Sequence, residues 1–187
     1  DLPSYAITAT ANPPAGGTVS CTPNPVPQGG ASTCAASANL GYSFTGFSGA
    51  CTGATCVLSN VTSDASVTAN FAINTYAITT TASPLAGGSV SCTPNPVSYG
   101  SNSTCTATAN LGYTFTGFSG ACTGATCVLS NVTSAQSVTA NFTLNTYAIT
   151  TMASPLAGGS VSCTPNPVTY GSNSTCTATA NAGYTFS

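Results

Sequence analysis

The sequence predicts an all-β fold: a tandem array of small, disulfide-stapled antiparallel β modules, about 71 residues per repeat, forming a rod or filament. Three observations predict it. The first is self-similarity. The string GYTFTGFSGACTGATC at 112–127 recurs almost unchanged at 41–56, and begins again at Gly183. Tyr5, Tyr76 and Tyr147 keep the same 71-residue step, as do Cys21, Cys92 and Cys163, and Cys34, Cys105 and Cys176. The array divides into repeat 1 at 1–75, repeat 2 at 76–146 and a truncated repeat 3 at 147–187. The second observation is periodicity. Runs rich in Thr and Val are separated by turn residues, and no stretch has the spacing of an amphipathic helix. The third is the presence of 10 cysteines in 187 residues, which points to an oxidising compartment where disulfides hold modules that bury too little apolar surface.

In order along the second copy, 76–82 (YAITTTA) alternates Tyr76, Ile78 and Thr80 against Ala77 and Thr79, the pattern of a half-buried strand. The stretch 83–88 (SPLAGG) turns the chain, because Pro presets one dihedral and the Gly pair accepts positive φ. A second strand at 89–93 carries Cys92 and stops at Pro94 and Pro96, neither of which can donate to a ladder. After 97–100, a third strand at 103–109 sets Cys105, Ala107 and Ala109 on one face and Thr104, Thr106 and Thr108 on a wet one. The turn at 110–112 leads to a fourth strand at 113–118. There Tyr113 and Phe115 share a face and a bulge at Gly117 returns Phe118 to the core. The loop 122–127 leads into a fifth strand at 126–130, and the sixth, at 137–142, puts Val138, Ala140 and Phe142 on one face. Consecutive antiparallel strands are the simplest connection of these runs. No Pro or Gly interrupts 67–79 or 138–150, so one extended segment leaves each module and opens the next, which favours a stiff rod.

Composition excludes most chemistry. The chain has no Lys, Arg or His, and its only acids are Asp1 and Asp64. General acid–base and nucleophilic catalysis need a titratable group beside the reacting atom. The repeat supplies none, since Ala135 stands where Asp64 would recur. The sequence is therefore that of a non-enzyme with no cofactor. Nucleic-acid binding is excluded by the missing basic residues, and carboxylate calcium sites by the missing acids. No apolar run reaches the roughly 20 residues of a membrane-spanning helix. The chain begins without a signal peptide and stops inside a motif, the expectation for an excised portion of an exported protein.

Four cysteines per complete unit allow three pairings. Within a copy the favoured set is Cys92 with Cys105, stapling neighbouring strands, and Cys122 with Cys127, closing a short loop. Cys21, Cys34, Cys51 and Cys56 are their counterparts in copy 1, and Cys163 and Cys176 remain an even pair in copy 3. The rival, a four-thiolate zinc site, suits neither the Cys122–Cys127 spacing nor a third copy with two sulfurs.

Taken in this order, AGGSVSCTPNP, GYTFTGFSG, CTGATC and SVTANF resemble the divergent internalin-B-type repeats of bacterial surface proteins over the whole chain, copy by copy. The resemblance implies exported, β-rich, non-catalytic modules in tandem. Phe47 and Phe118 stand where such relatives commonly carry Trp. The function expected is that of an extracellular, cell-surface structural protein: the shaft of a bacterial appendage or filament, self-associating through neighbouring repeats or by strand exchange. Glycans are candidate partners in two ways. With so little charge, sugars would hydrate the surface, and sequons occur at Asn60, Asn102, Asn131, Asn141 and Asn173. Alternatively the chain is an adhesin module that binds carbohydrate, with Tyr99 and Tyr170 as exposed stacking platforms after the Pro-Asn-Pro turn.

Overall fold

A computed structural model describes residues 2–187; Asp1, one of the two acids, lies outside the described residues. Copy 1 contains β1 (Ser4–Tyr5), β2 (Ile7–Asn12), β3 (Gly17–Thr22), β4 (Val26–Pro27), β5 (Ser32–Ala38), β6 (Tyr42–Gly49), β7 (Cys56–Leu58) and β8 (Ala65–Ile73). Copy 2 repeats them as β9 (Thr75–Tyr76), β10 (Ile78–Ser83), β11 (Gly88–Thr93), β12 (Val97–Ser98), β13 (Ser103–Ala109), β14 (Tyr113–Gly120), β15 (Cys127–Leu129) and β16 (Gln136–Leu144). Copy 3 contains β17 (Thr146–Tyr147), β18 (Gly159–Thr164), β19 (Val168–Thr169) and β20 (Thr175–Ala180). Helical structure among the described residues is confined to single 3₁₀ turns such as Leu85–Gly87, inside the expected SPLAGG reversal.

The chain forms two compact units. One holds the described residues up to Ala77 together with Asn95–Asn102 and Ser130–Ala135; the other holds Ile78–Pro94, Ser103–Leu129 and Gln136–Ser187. A strip of copy 2 therefore packs with copy 1.

In the first unit, two three-stranded sheets, β2–β8–β6 and β3–β5–β7, face each other, with the ribbon β1–β4 alongside. The period-2 pattern of each strand sends one row inward. Ile7, Val67, Ala69 and Phe71 meet Cys21, Cys34, Cys56 and Leu58, and Phe47, Val26 and Val61 complete the cluster. Val67 and Ala69 on the central strand β8 are wholly buried. Burying a side chain such as Val67 stabilises the fold by about 1.5–3 kcal/mol. Phe71 closes one end, with its ring over Gly16 and Gly17, where a Cβ would collide with it. The expected bulge is present in both complete copies. The register of β6 against β8 shifts between Phe44 and Gly46, and that of β14 against β16 between Phe115 and Gly117. Gly46 and Gly117 take φ of +138° and +139°, and Phe47 and Phe118 are buried beyond them.

One connection differs from the simple antiparallel order. β2 pairs with β8 in parallel, Ile7 opposite Ala65 through Asn12 opposite Asn70, and β10 pairs with β16 in the same way. The other paired strands run antiparallel. Parallel neighbours need a long crossover, and here the rest of the module supplies it. Alternation of side chains carries no information on strand direction, so the sequence could not distinguish the two. The sequence also left 97–100 as a connector, whereas Val97 is fully buried and Val97–Ser98 pairs with Thr75–Tyr76.

The Pro-Asn-Pro segment has a bonding role as well as ending β3. The Asn24 side chain mimics a strand: its Nδ2 donates to Ile7 O at 2.7 Å and its Oδ1 accepts the Ile7 N–H at 2.8 Å. Asn166 holds Ile149 identically, at 2.8 and 2.9 Å. Asn24→Ala is expected to cost about 2 kcal/mol, because both backbone groups of Ile7 lose their partner. Urea denaturation of the variant checks this, and a change under 0.5 kcal/mol or so would contradict it.

In the second unit the same two sheets recur as β10–β16–β14 and β11–β13–β15, and β18 pairs with β20. Phe142 lies against Gly87 and Gly88 as Phe71 does against Gly16 and Gly17.

Candidate functional site at the seam between copies

The repeated feature that the core of one copy does not account for is the passage from one copy into the next. In the first unit it is built on the turn that opens β6. Tyr42 N–H donates to Asn39 O at 3.0 Å, and Gly41 within that turn is buried at φ +82°. The ring of Tyr99 lies on that Cα, and a Cβ at position 41 would overlap it. Asn74, the break between β8 and β9, joins the pieces. Its N–H donates to Gly41 O at 2.8 Å, its carbonyl accepts the Tyr99 N–H at 2.8 Å, and its Oδ1 accepts the Ser43 hydroxyl at 2.7 Å. Tyr76 stands beside Tyr99 with ring centroids 6.5 Å apart. The loop at 130–135 adds two backbone bonds, Gly100 N–H to Val132 O at 2.8 Å and Val132 N–H to Ser101 O at 3.0 Å.

The second unit repeats this arrangement. Asn145 N–H donates to Gly112 O at 2.8 Å, Tyr170 N–H donates to Asn145 O at 2.8 Å, and Thr114 Oγ1 donates to Asn145 Oδ1 at 2.6 Å. The ring of Tyr170 covers Gly112, at φ +83°. At the equivalent place in copy 1, Gln28 replaces the Tyr and donates through its N–H to Pro3 O at 2.8 Å.

This geometry corrects the expected exposure of Tyr99 and agrees with that of Tyr170. Tyr99 is half-buried and one face of its ring is taken by Gly41, while Tyr170 keeps 39% of its surface but is likewise seated on Gly112. Each covers a glycine of the preceding copy with one ring face, Tyr99 half-buried and Tyr170 still exposed. Gly41→Ala introduces both a strained φ and a clash with the Tyr99 ring, and is expected to cost about 1–3 kcal/mol at the seam. Tyr99→Ala removes the cover without the clash. In both variants hydrogen exchange at the Asn74 and Tyr99 amides should accelerate at least tenfold while β5 amides keep their protection; unchanged exchange would contradict the assignment.

The cysteines are joined in pairs. Cys21–Cys34, Cys92–Cys105 and Cys163–Cys176 bridge residues directly opposite on neighbouring strands, with Cα atoms 3.9, 3.9 and 4.0 Å apart. Cys51–Cys56 and Cys122–Cys127 close the short loops before β7 and β15, with Cα atoms 5.4 and 5.5 Å apart. Cys56 and Cys127 also face Cys34 and Cys105 across the next strand pair, so three of the four cysteines of a complete copy lie in one row of one sheet.

The sequons fall in different surroundings. Asn60 and Asn131 are exposed at loop tips with φ of +51° and +49°, and Asn102 and Asn173 are exposed. Asn102 Oδ1 accepts the Asn131 N–H at 2.9 Å. Asn141 is half-buried on β16, and its Nδ2 already donates to Gly117 O at 3.1 Å and Ser119 Oγ at 3.0 Å. The described carboxylate, Asp64, accepts the Ala6 N–H at 2.8 Å and so braces the start of β2.

The seam residues Asn74, Asn145, Gly41 and Gly112 escaped the sequence analysis. A signal existed: NTYAIT recurs without change at both copy boundaries, and Tyr99 and Tyr170 have no counterpart at Gln28. Small sheets repeated along one chain, two disulfides per complete copy and a fixed Asn–Tyr seam define a tandem β-repeat protein. The chain belongs to the divergent InlB B-repeat domain family, which matches at 7–75, 78–146 and 149–187. A comparison with curated proteins finds no match. The family matches start at Ile7, Ile78 and Ile149, just past Tyr5, Tyr76 and Tyr147.

Proposed function

We propose that this chain is a non-enzymatic structural segment of an extracellular bacterial surface protein, a length of the shaft of an appendage or filament. The observation that carries this reading is the seam. Asn74 and Tyr99 fix the start of copy 2 on copy 1 through backbone bonds and a covered glycine, which suits transmission of position along a chain better than free movement of domains. The sulfur pairs suit an oxidising exterior. Repeats bounded at 75 and 146, each adding one module, are the unit of length. Further chains join by self-association through neighbouring repeats. Glycans hydrate a surface that has almost no charge, attached at exposed sequons such as Asn60, Asn131 and Asn173 and not at Asn141, whose amide nitrogen is committed within the sheet. Imaging of purified material at low concentration tests the structural role: stiff segments or fibres of regular diameter are expected, and flexible strings of beads would refute it. Intact mass tests the sugars, with a mass equal to the bare polypeptide less the disulfide hydrogens removing them.

A further inference from the structure

We infer that each complete copy is a mechanical clamp, built to resist tension along the chain. The inference rests on the shaft reading for its use but on the strand order for its physics. Copy 1 begins its long strands with β2 and ends with β8, and these two are hydrogen-bonded neighbours running in the same direction over six residue pairs, Ile7 opposite Ala65 to Asn12 opposite Asn70. Tension that arrives at Ile7 and leaves beyond Ile73 pulls the two strands in opposite senses along their own axes. The rungs of the ladder are then loaded together, in shear. Had the first and last strands been antiparallel neighbours with both loaded ends at one edge, the same tension would open the rungs one at a time.

The surroundings of the ladder fit this role. On its inner face Val67 and Ala69 are wholly buried and Ile7 nearly so, which keeps water from exchanging with the rungs as they strain. On its outer face the Thr10 and Thr68 hydroxyls meet at 3.2 Å, and Asn12 Nδ2 donates to Asn70 Oδ1 at 3.3 Å, adding side-chain ties in register with the backbone ones. At the loaded start, Ala65 N–H donates to Ala6 O at 3.0 Å and Ala6 N–H to Asp64 Oδ1 at 2.8 Å. β10 and β16 repeat the six pairs in copy 2, Ile78 opposite Gln136 to Ser83 opposite Asn141. The disulfides have a second role under load. Cys21–Cys34 and Cys51–Cys56 lie between the clamp strands in sequence, outside the path of tension while the clamp holds. Once it breaks they withhold 13 and 5 residues of separation from extension, so a ruptured copy lengthens by no more than about 170 Å at about 3.3–3.6 Å per residue.

Single-molecule pulling of the whole 187-residue chain tests this. With handles at the two ends, two high-force ruptures are expected, from copies 1 and 2, each within the length limit set by the disulfides. The same chain is then pulled with bio-orthogonal handles at residues 6 and 63, which lie at the same end of β2 and β8. That geometry peels the ladder, and the rupture force of copy 1 should fall at least twofold at the same loading rate. Equal forces in the two geometries, or end-to-end extension without resolved ruptures, would overturn the clamp, even if imaging showed a stiff shaft. Strong ruptures from a chain that images as flexible beads would uphold the clamp and refute the shaft.

Discussion

Phe142→Ala is expected to destabilise copy 2 by about 3–5 kcal/mol. Phe142 is 5% exposed on β16, and its ring lies on Gly87 and Gly88 and 5.7 Å from the Phe115 centroid. Truncation leaves a cavity whose floor is two glycines with no side chain to move in. The site therefore cannot collapse, which places the cost at the upper part of the usual range. Residue-resolved hydrogen exchange reads the result, because Phe71 serves the same place in copy 1 and reports whether the damage stays local. Protection should fall throughout β10, β14 and β16 and persist in β2, β6 and β8. A loss under about 1.5 kcal/mol would mean the ring is not the keystone its burial suggests.

Replacing Cys92 and Cys105 together by Ala is expected to cost about 3 kcal/mol, and replacing Cys122 and Cys127 about 2 kcal/mol. The ordering follows from the lengths closed, a separation of 13 residues against 5. Both changes leave small apolar groups in place of sulfur. Cys92, Cys105 and Cys127 are buried, so a Ser in any of those places would add the cost of an unpartnered hydroxyl. Denaturant midpoints of the two double variants under the same oxidising conditions test the order. A reversal would show that local packing around the Cys122 loop, and not chain entropy, sets the contribution of the bridges.

Much of the module was legible because its strands alternate cleanly. Val138, Ala140 and Phe142 face inward and Thr104, Thr106 and Thr108 outward, as period 2 requires. The bulge at Gly117 was legible for a related reason: Phe118 is out of step with Phe115, and one extra residue is the least costly repair. Strand direction was not legible, because β8 presents the same inward row whether it runs with β2 or against it. Nor was the short strand Val97–Ser98, whose partner, Thr75–Tyr76, lies across a copy boundary that a single repeat cannot display. The half-burial of Tyr99 was not legible for the same reason: a residue after a Pro-Asn-Pro turn reads as exposed until the preceding copy is placed beneath it, although Tyr170 does stay exposed.

The absence of Lys, Arg and His gives this fold an unusual surface. Its outer faces are ladders of hydroxyls and amides: Thr10 to Thr68, Asn12 to Asn70 and Ser91 to Thr106, the last with oxygens 3.4 Å apart. Cross-strand pairs of this kind add a few tenths of a kcal/mol each without dependence on salt. Stability should accordingly change little between low and high ionic strength, in contrast to proteins braced by surface ion pairs.

Copies that are fastened to one another, and not merely strung together, differ from beads on a string in the amide hydrogen exchange of the intact chain. The amides of Asn74, Tyr99, Asn145 and Tyr170 should exchange as slowly as those in the middle of β8 and β16, because each donates across the seam at 2.8 Å. Exchange of these four at the rate of an open loop, while the strands on either side stay protected, would contradict the account.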